Sequence, residues 1–297
     1  MKKILFCLFS LTLVLSCSSD DNNNGGSTAD NRDYFPNSNS AQWNFNYSIN
    51  NQGSSSSGTS IMNMGLDQNI GGSSYQVLSN TAEVIGALDE VPFQKNSQNE
   101  VIIRPLASGF SYVDFLPTGS LFDNLNFIKN AMSSNEVLSE STQEFVGEPM
   151  EIPDANINGT VTPRTFITIS TQHVGKSNSL AVNNNSYQNI IQNRVLFKIK
   201  VVLDIDANAN MGGQVMNITR SHELVSPQQY GTLDLWLAEN TGIIKSDYLY
   251  SFNNVNMNTQ INIAGININL LDLAPDLANF NSSLHLTGNA SLTSFSL

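Results

Sequence analysis

The residues best suited to binding a metal form one short polar stretch. Asp204, Asp206 and Asn208 place oxygen atoms at alternate positions, as the first ligands of a calcium loop do, because hard cations prefer carboxylate and amide oxygens. Position six of such a loop needs glycine and position twelve needs a bidentate glutamate, whereas this chain has Ala209 and Val215 there. Calcium binding is therefore a weak candidate, and a strand that ends in an Asn/Gly turn is the favoured interpretation.

The three histidines offer no metal-binding or nucleophilic pattern. His173, His222 and His285 have no His, Asp or Glu three or four residues away, the spacing that places two ligands on one face of a helix. The chain also lacks the Gly-x-Ser-x-Gly elbow of serine hydrolases. We therefore expect each histidine to be a solvated or hydrogen-bonded residue of a strand.

Carboxylates could in principle supply acid/base chemistry. Asp89 and Glu90 form one pair and Glu148 and Glu151 another. Glycosidase chemistry, however, depends on the distance between two carboxylates in space, which a sequence does not give. Because most acidic residues are scattered over predicted loops, the sequence favours a protein that is not an enzyme, and it indicates no cofactor.

The two tryptophans could offer platforms for a sugar ring. Trp43 and Trp236 each lie in a run that alternates apolar and polar residues, so core burial is the expectation for both. Gly242 follows the second tryptophan in a predicted tight turn, where its backbone freedom is needed. We therefore assign all three residues a structural role.

Alternating runs dominate the chain, and they must position any site. The clearest lie at residues 197–201 and 261–270, inside longer runs at 195–205 and 257–270, and they indicate strands because successive side chains of a strand point to opposite faces. Shorter runs occur at residues 43–49, 75–78, 101–103, 165–169, 214–219, 232–237, 243–252 and 283–295. Short turn-rich spacers separate them. The pattern predicts a mainly β protein with one or two short helices: a single antiparallel curved, half-barrel-like sheet spanning residues 33–297.

Four stretches depart from this alternation. Residues 121–138 carry apolar side chains every three or four positions, which predicts an amphipathic helix packed across the sheet. Residues 270–280 predict a smaller helix, with Pro275 in its first turn. The polar residues 51–60 predict a mobile hairpin loop, and residues 149–163 are either a domain boundary or a long loop inside one domain.

The charge balance limits the possible partners. Asp and Glu outnumber Lys and Arg by 25 to 13, which gives a formal net charge of −12. Charged residues make up 13% of the chain, about half the usual share. The sequence contains no cluster of basic residues such as nucleic acid or an anionic membrane surface requires, so neither is expected as a partner.

The first residues have the features of an export signal. Two lysines precede an apolar run at residues 4–15, which is too short to span a bilayer. The end of the run, Val14-Leu15-Ser16-Cys17, resembles a bacterial lipobox, in which the cysteine is acylated and becomes the first mature residue. We expect residues 1–16 to be a lipoprotein signal peptide, Cys17 to carry the lipid anchor, and residues 17–32 to be a disordered tether.

Cys17 is the only cysteine of the predicted mature chain, because Cys7 lies in the signal. An exported domain without disulfides must be stabilised by its core. Residues 18–26 are acidic and then Asn/Gly-rich, and they are similar to the surface-export tether of lipoproteins of the Bacteroidota. The resemblance implies an outer-membrane lipoprotein at the cell surface, with a periplasm-facing lipoprotein as the alternative.

Two further segments carry this resemblance. Residues 33–36 read Asp-Tyr-Phe-Pro and precede Trp43 on the first strand, an opening similar to that of uncharacterised surface lipoproteins of the Bacteroidota. Residues 235–245 contain a tryptophan strand, a turn and a Gly-Ile-Ile-Lys strand, which resembles the closing strands of that family. The glycine usual before the first tryptophan is absent, since Ser40-Ala41-Gln42 stands there. The resemblance covers two short segments and implies no particular activity.

Three functions follow as hypotheses. The first is a non-catalytic lipoprotein that binds an envelope protein or supports the envelope, with the outer membrane as its partner through Cys17. The second is a carrier or sensor of a hydrophobic ligand, held in the concavity of the sheet. The third is a hydrolase of surface glycans or lipids. A filled core without a cavity of at least about 300 Å³ would contradict the carrier, whereas clustered carboxylates or a Ser–His pair would support the hydrolase.

Overall fold

One large antiparallel sheet forms the body of the protein. The computed structural model describes residues 29–80, 91–105, 122–252, 259–273 and 284–297. Within these ranges fourteen strands share the sheet, and two more strands form a separate hairpin. The prediction of a mainly β fold built on a single antiparallel sheet is confirmed.

The elements of the first half are β1 (Gln42–Asn51), β2 (Ser54–Met64), β3 (Gln68–Ile70), β4 (Ser73–Asn80), β5 (Pro92–Lys95), β6 (Val101–Ile103), β7 (Leu125–Ile128), β8 (Glu136–Val146) and β9 (Met150–Glu151). Those of the second half are β10 (Ile157–Val182), β11 (Asn185–Met211), β12 (Gln214–Ala238), β13 (Gly242–Phe252), β14 (Gln260–Ile263), β15 (Ile266–Asn269), α1 (Leu270–Leu273) and β16 (Leu284–Ser296).

The strand order across the sheet is β7-β6-β5-β4-β2-β1-β16-β13-β12-β11-β10-β8, with β3 on β4 and β9 on β10. β16 lies between β1 and β13, so the last strand of the chain joins the two halves of the sheet. Among the described strands no backbone ladder connects β7 to β8. Across these described strands the sheet is therefore open.

Three very long strands organise two separate cores. β10, β11 and β12 contain 26, 27 and 25 residues and extend beyond their neighbours. In the parts that pair with β8 and β13, the three strands bury Ile167, Phe197 and Leu235 in the main core. Farther along they bury Ile157 and Ile205 in a smaller second core, to which β14, β15 and α1 also contribute.

The far parts of these strands project from the body of the sheet. We call residues 157–163, 203–211 and 214–225 the distal arm. The turn between β11 and β12 forms its tip, beside which Val215 and Met216 are 68% and 50% exposed. One face of the arm is thus packed in the second core, while its tip presents apolar side chains to solvent.

The helix predicted at residues 121–138 is wrong. The described part of this stretch contains β7 and the start of β8, and Leu125, Phe127 and Ile128 are buried. A bend and a turn at residues 129–135 separate the two strands. The apolar residues that suggested a helical face lie in a short strand and in the bend after it, so their spacing of three and four residues does not reflect a helix.

Two other stretches differ from expectation or are only partly described. The smaller helix is present as α1, but residues 274–280 of that prediction lie outside the described residues. The loop predicted at residues 51–60 is wrong, because Gln52 and Gly53 alone make the turn and β2 begins at Ser54, paired with Asn51. Residues 149–163 contain β9 and the start of β10 within the main sheet.

Candidate functional site

The last residues of the predicted tether and the four residues after them are docked onto one end of the sheet. We call residues 29–36 the anchor-side segment. The ring of Phe35 packs edge-on against that of Phe93, with ring centres 4.6 Å apart. Lys95 Nζ donates hydrogen bonds to Asp33 Oδ2 at 2.8 Å and to the Phe35 carbonyl oxygen at 3.1 Å. Apolar burial and a charge-assisted clamp together hold the segment in place.

Asp30 ties the anchor-side segment to β10. Its carboxylate accepts hydrogen bonds from the Tyr34 hydroxyl and from Lys176 Nζ, both at 3.1 Å, and from the backbone N–H of Arg32 at 3.3 Å. Burial alone would raise the pKa of Asp30, but these hydrogen bonds hold that pKa below its ordinary value. Asp30 and Arg32, which belong to the tether predicted as disordered at residues 17–32, are thus packed, because distant partners fix residues that look like linker.

Trp43 and Gly242 belong to the same end of the sheet. Trp43 is 2% exposed, and its Nε1 donates a hydrogen bond to the Thr241 carbonyl oxygen at 2.6 Å. Gly242 has a φ of +87°, and a Cβ built there would lie 3.2 Å from Trp43 Nε1 and 3.3 Å from Pro36. Glycine at this turn therefore satisfies both a left-handed backbone and a close approach to the indole.

Trp236 is only partly buried, at the margin of the main core. Leu235 and Leu237 on either side of it are fully buried, whereas Trp236 packs against the core from a partly exposed position, so full core burial holds for Trp43 but not for Trp236. Lys245 Nζ lies 4.2 Å from the centre of the Trp236 ring and donates to Asp247 at 2.6 Å. The lysine covers the ring, so Trp236 is not an open stacking platform.

Asp204 is engaged in a row of hydrogen-bonded polar side chains that crosses four strands. Arg164 donates from Nε to Glu144 at 2.6 Å and from a terminal nitrogen to Asp204 at 3.0 Å. The Ser221 hydroxyl donates to the other oxygen of Asp204 at 2.5 Å. The hydrogen bonds from Ser221 and Arg164 hold the pKa of Asp204 below its ordinary value.

The calcium candidate has no loop geometry. Asp204, Asp206 and Asn208 all lie in the continuous strand β11, where alternate residues are about 6.6 Å apart along one face. Oxygen ligands of one calcium ion must converge within about 2.6 Å of it. Among the described residues there is no group of three or more His, Cys, Asp or Glu side chains that could hold a metal ion.

His173 is the centre of a buried polar cluster. His173 and Asn193 are both 0% exposed, and His173 Nδ1 lies 2.8 Å from Asn193 Oδ1. Asn193 Nδ2 donates to the Phe127 carbonyl oxygen at 2.6 Å, which assigns Oδ1 as an acceptor. The imidazole must therefore carry its proton on Nδ1, and its Nε2 has no hydrogen-bond partner within the described ranges. Burial lowers the pKa of His173 and favours this neutral form.

The same cluster binds the edge strand β7. Thr171 Oγ1 donates to the Asn126 carbonyl oxygen at 2.5 Å, one residue before the carbonyl that Asn193 binds. Two side chains of the core face thus satisfy backbone groups of β7 that an open sheet edge would leave unpaired. We call Thr171, His173 and Asn193 the polar seam, because they hold the edge of the curled sheet against β10 and β11.

Sequence reasoning missed the polar seam, although a signal exists. Residues 167, 169, 171 and 173 share one face of β10, and the first two are buried isoleucines. When polar side chains occupy the core-facing positions of a strongly alternating strand, they indicate a buried hydrogen-bonded cluster. Of the other histidines, His222 is partly buried in β12 and His285 is exposed in β16.

The main core is filled where its apolar side chains meet. A cavity among Phe35, Phe93, Phe127 and Leu235 has a volume of about 20 Å³, which is room for about one water molecule. A hydrophobic carrier needs a cavity of about 300 Å³ or more. This part of the core therefore gives the carrier hypothesis no support.

The carboxylate pairs are not assembled into a site in the part of the chain that is described. Glu148 and Glu151 are both exposed, and Asp89 and Glu90 lie outside the described residues. His173 bonds to an asparagine rather than to a serine. These placements offer no acid/base pair and no nucleophile activated by a histidine.

Cys17 and the lipobox-like residues lie outside the described residues. Across the ranges given above, no helix is long and apolar enough to cross a membrane. Comparison with family models, with curated proteins and with solved structures finds no match for this chain. The lipid anchor and the resemblance to Bacteroidota lipoproteins therefore remain predictions.

Proposed function

We propose that this chain is a lipid-anchored outer-membrane protein that is displayed at the cell surface and has a non-catalytic binding or structural role. The lipobox-like end of the signal at Cys17 and the acidic tether after it support the anchor. Several buried acyl methylenes, each worth about 0.8 kcal/mol, give stable anchoring once more than one chain is attached.

The observation that carries the proposal is the separation of the two ends of the domain. The backbone N–H of Asn240 donates to the Asp33 carbonyl oxygen at 2.6 Å, so the anchor-side segment docks beside the pair Ile190–Ala238. From Ile190 to Met211 at the tip, β11 advances 21 residues, or about 70 Å of strand at about 3.3 Å per residue. A tether that leaves one end and an arm that projects from the other suit a protein that presents a surface away from its membrane.

Lipidation is tested by metabolic labelling with an alkyne analogue of palmitate in a bacterium that processes lipoproteins. The wild-type chain and a Cys7→Ser variant should be labelled, because Cys7 belongs to the signal that is removed. A Cys17→Ser variant should not be labelled. Equal labelling of both variants and the wild type would place the acyl group elsewhere and overturn the anchor.

Display is tested by adding protease to intact cells. A surface protein should be digested while a periplasmic marker stays intact. Full protection in intact cells, followed by digestion once the outer membrane is permeabilised, would contradict surface display and favour the periplasm-facing alternative.

A further inference from the structure

A polar cleft lies between residues 37–39, which directly follow the anchor-side segment, and the strands β3, β4 and β5. Its volume is about 320 Å³, and it is lined by Asn39, Asp67, Ser74, Gln76, Gln94 and Lys95. We call it the amide cleft. This volume is at the lower end of the range of small-molecule sites, about 300 to 1,000 Å³, and its lining is polar rather than apolar.

Hydrogen bonds within the protein fix two side chains of the amide cleft before any ligand arrives. Gln76 Nε2 donates to the Asn37 carbonyl oxygen at 3.1 Å and to Asn39 Oδ1 at 2.8 Å. Lys95 is held by Asp33 at 2.8 Å. Because these side chains are already ordered, binding to them would lose little side-chain entropy.

Other lining groups have unused hydrogen-bonding capacity. Gln76 donates through its nitrogen and Asn39 accepts through its oxygen, so Gln76 Oε1 and Asn39 Nδ2 remain available. The side chains of Asp67, Ser74 and Gln94 make no hydrogen bond or ion pair within the described ranges. The cleft therefore offers donors and acceptors together, a combination that matches hydroxyl groups, since each hydroxyl is both donor and acceptor.

The charge of the amide cleft disfavours an anionic ligand. The ammonium of Lys95 is neutralised by Asp33 at 2.8 Å, whereas the carboxylate of Asp67 has no cationic partner in any described segment. An anion placed there would meet an uncompensated negative charge, and an uncharged ligand would instead donate a charge-assisted hydrogen bond to it.

We infer that the amide cleft binds a neutral polyhydroxylated ligand of the size of a mono- or disaccharide. The inference goes beyond the display role proposed above, because the cleft belongs to the folded domain and its binding does not depend on the lipid at Cys17. Failure of sugar binding would leave lipidation and display untouched, and failure of lipidation would leave the cleft untouched.

Saturation-transfer NMR on the full-length protein tests the inference. The protein is purified in a detergent without a sugar headgroup, and the probes are glucose, galactose, mannose, N-acetylglucosamine, maltose, cellobiose and glucuronic acid. Protein-to-ligand transfer is expected for at least one neutral sugar, with weaker transfer to glucuronic acid. Calorimetry then gives the dissociation constant for the sugar with the strongest transfer.

Two variants and two matched controls locate the site. Asp67→Ala should weaken binding about 10- to 100-fold, and Gln94→Ala about 2- to 10-fold, as expected for the loss of a charged and of a neutral hydrogen bond. Asp206→Ala and Gln228→Ala remove a carboxylate and an amide on β11 and β12, outside the cleft, and should leave binding unchanged.

The far-UV circular dichroism and the thermal midpoint of all four variants should match the wild type, because none of the four side chains has a hydrogen-bond partner in the described structure. Absence of transfer from every neutral sugar would overturn the inference. So would binding that survives both cleft substitutions, or that falls equally in the controls.

Discussion

Lowering the pH should destabilise the fold through His173. The ring is 0% exposed and its Nδ1 proton is bonded to Asn193 at 2.8 Å, and burial lowers its pKa below the ordinary value of 6.5. In the unfolded chain the same ring is solvated and keeps the ordinary pKa. As the pH falls below 6.5, the unfolded state therefore binds a proton before the folded state does.

The sign and the size of this effect follow from proton linkage. The stabilisation is fully present above the pKa that His173 has in the unfolded chain. It is lost as the pH falls from that pKa to the lower pKa of His173 in the folded protein. One proton changes the free energy of unfolding by at most about 1.4 kcal/mol for each pH unit inside this window. Since a domain is typically stable by about 5–15 kcal/mol, a loss of that size is readily measured.

Urea unfolding at a series of pH values between about 5 and 8, followed by circular dichroism, measures the slope. The wild-type protein should lose stability below pH 6.5, and His173→Gln, which has no titrating ring, should lose less per pH unit. His285→Gln is the matched control, because His285 is exposed, and it should retain the wild-type slope. Asp30 and Asp204 do not contribute to the slope of stability against pH in this range, because their pKa values lie below the ordinary 3.8.

A wild-type slope in His173→Gln would refute the assignment of His173 as the titrating group. An independent measurement uses the native protein alone: the ring resonances of His173 in an NMR titration should not shift near pH 6.5. A full titration there would show that the ring is solvated in the native state and that the polar seam does not exclude water.

Three further outcomes concern the backbone and the paired charges. Gly288→Ala should lower the free energy of unfolding by about 1–3 kcal/mol, because its Cβ would overlap a tyrosine ring of β13, while Gly175→Ala, whose nearest neighbour is 3.9 Å away, should change urea unfolding little. Gly242→Ala should lower the free energy of unfolding more than Gly213→Ala does. Both substitutions lose about 1–2 kcal/mol because φ is positive at both positions, but only the Cβ at position 242 also crowds an indole. Equal losses would contradict that crowding. Added calcium should leave the thermal midpoint unchanged, because Asp204 is paired with an arginine; a rise that Asp204→Asn abolishes would restore the calcium site.

The long strands could be predicted because their burial is set locally. In β11, Phe197, Ile199 and Val201 face the core, and the two lysines between them, Lys198 and Lys200, face outward. A strand buried on one face imposes this period of two directly on the sequence. The alternation therefore predicted the fold class and a part of each long strand, although not the full length of β10, β11 and β12.

The stretch around β7 could not be predicted, because distant residues determine its conformation. The strand is only four residues long, and its carbonyl groups are bound by Thr171 and Asn193, which lie tens of residues later in the chain. Its apolar spacing fits a helix equally well, and no local window contains the partners that decide the matter. The serine-rich start of β2 was misjudged for the same reason, because its pairing with β1 outweighs its loop-like composition.

The amide cleft shows most directly why a site on this chain escapes sequence reasoning. Its side chains come from three separate segments, residues 37–39, 67–76 and 93–95, and each looks like an ordinary solvated turn or strand end. They converge because Phe35 docks on Phe93 and brings the chain before β1 against β4 and β5. The contact that holds the anchor-side segment therefore also forms one wall of the cleft. Any change that releases that segment, such as loss of the Lys95 clamp, should weaken ligand binding together with the docking, although Lys95 itself carries no free charge to offer a ligand.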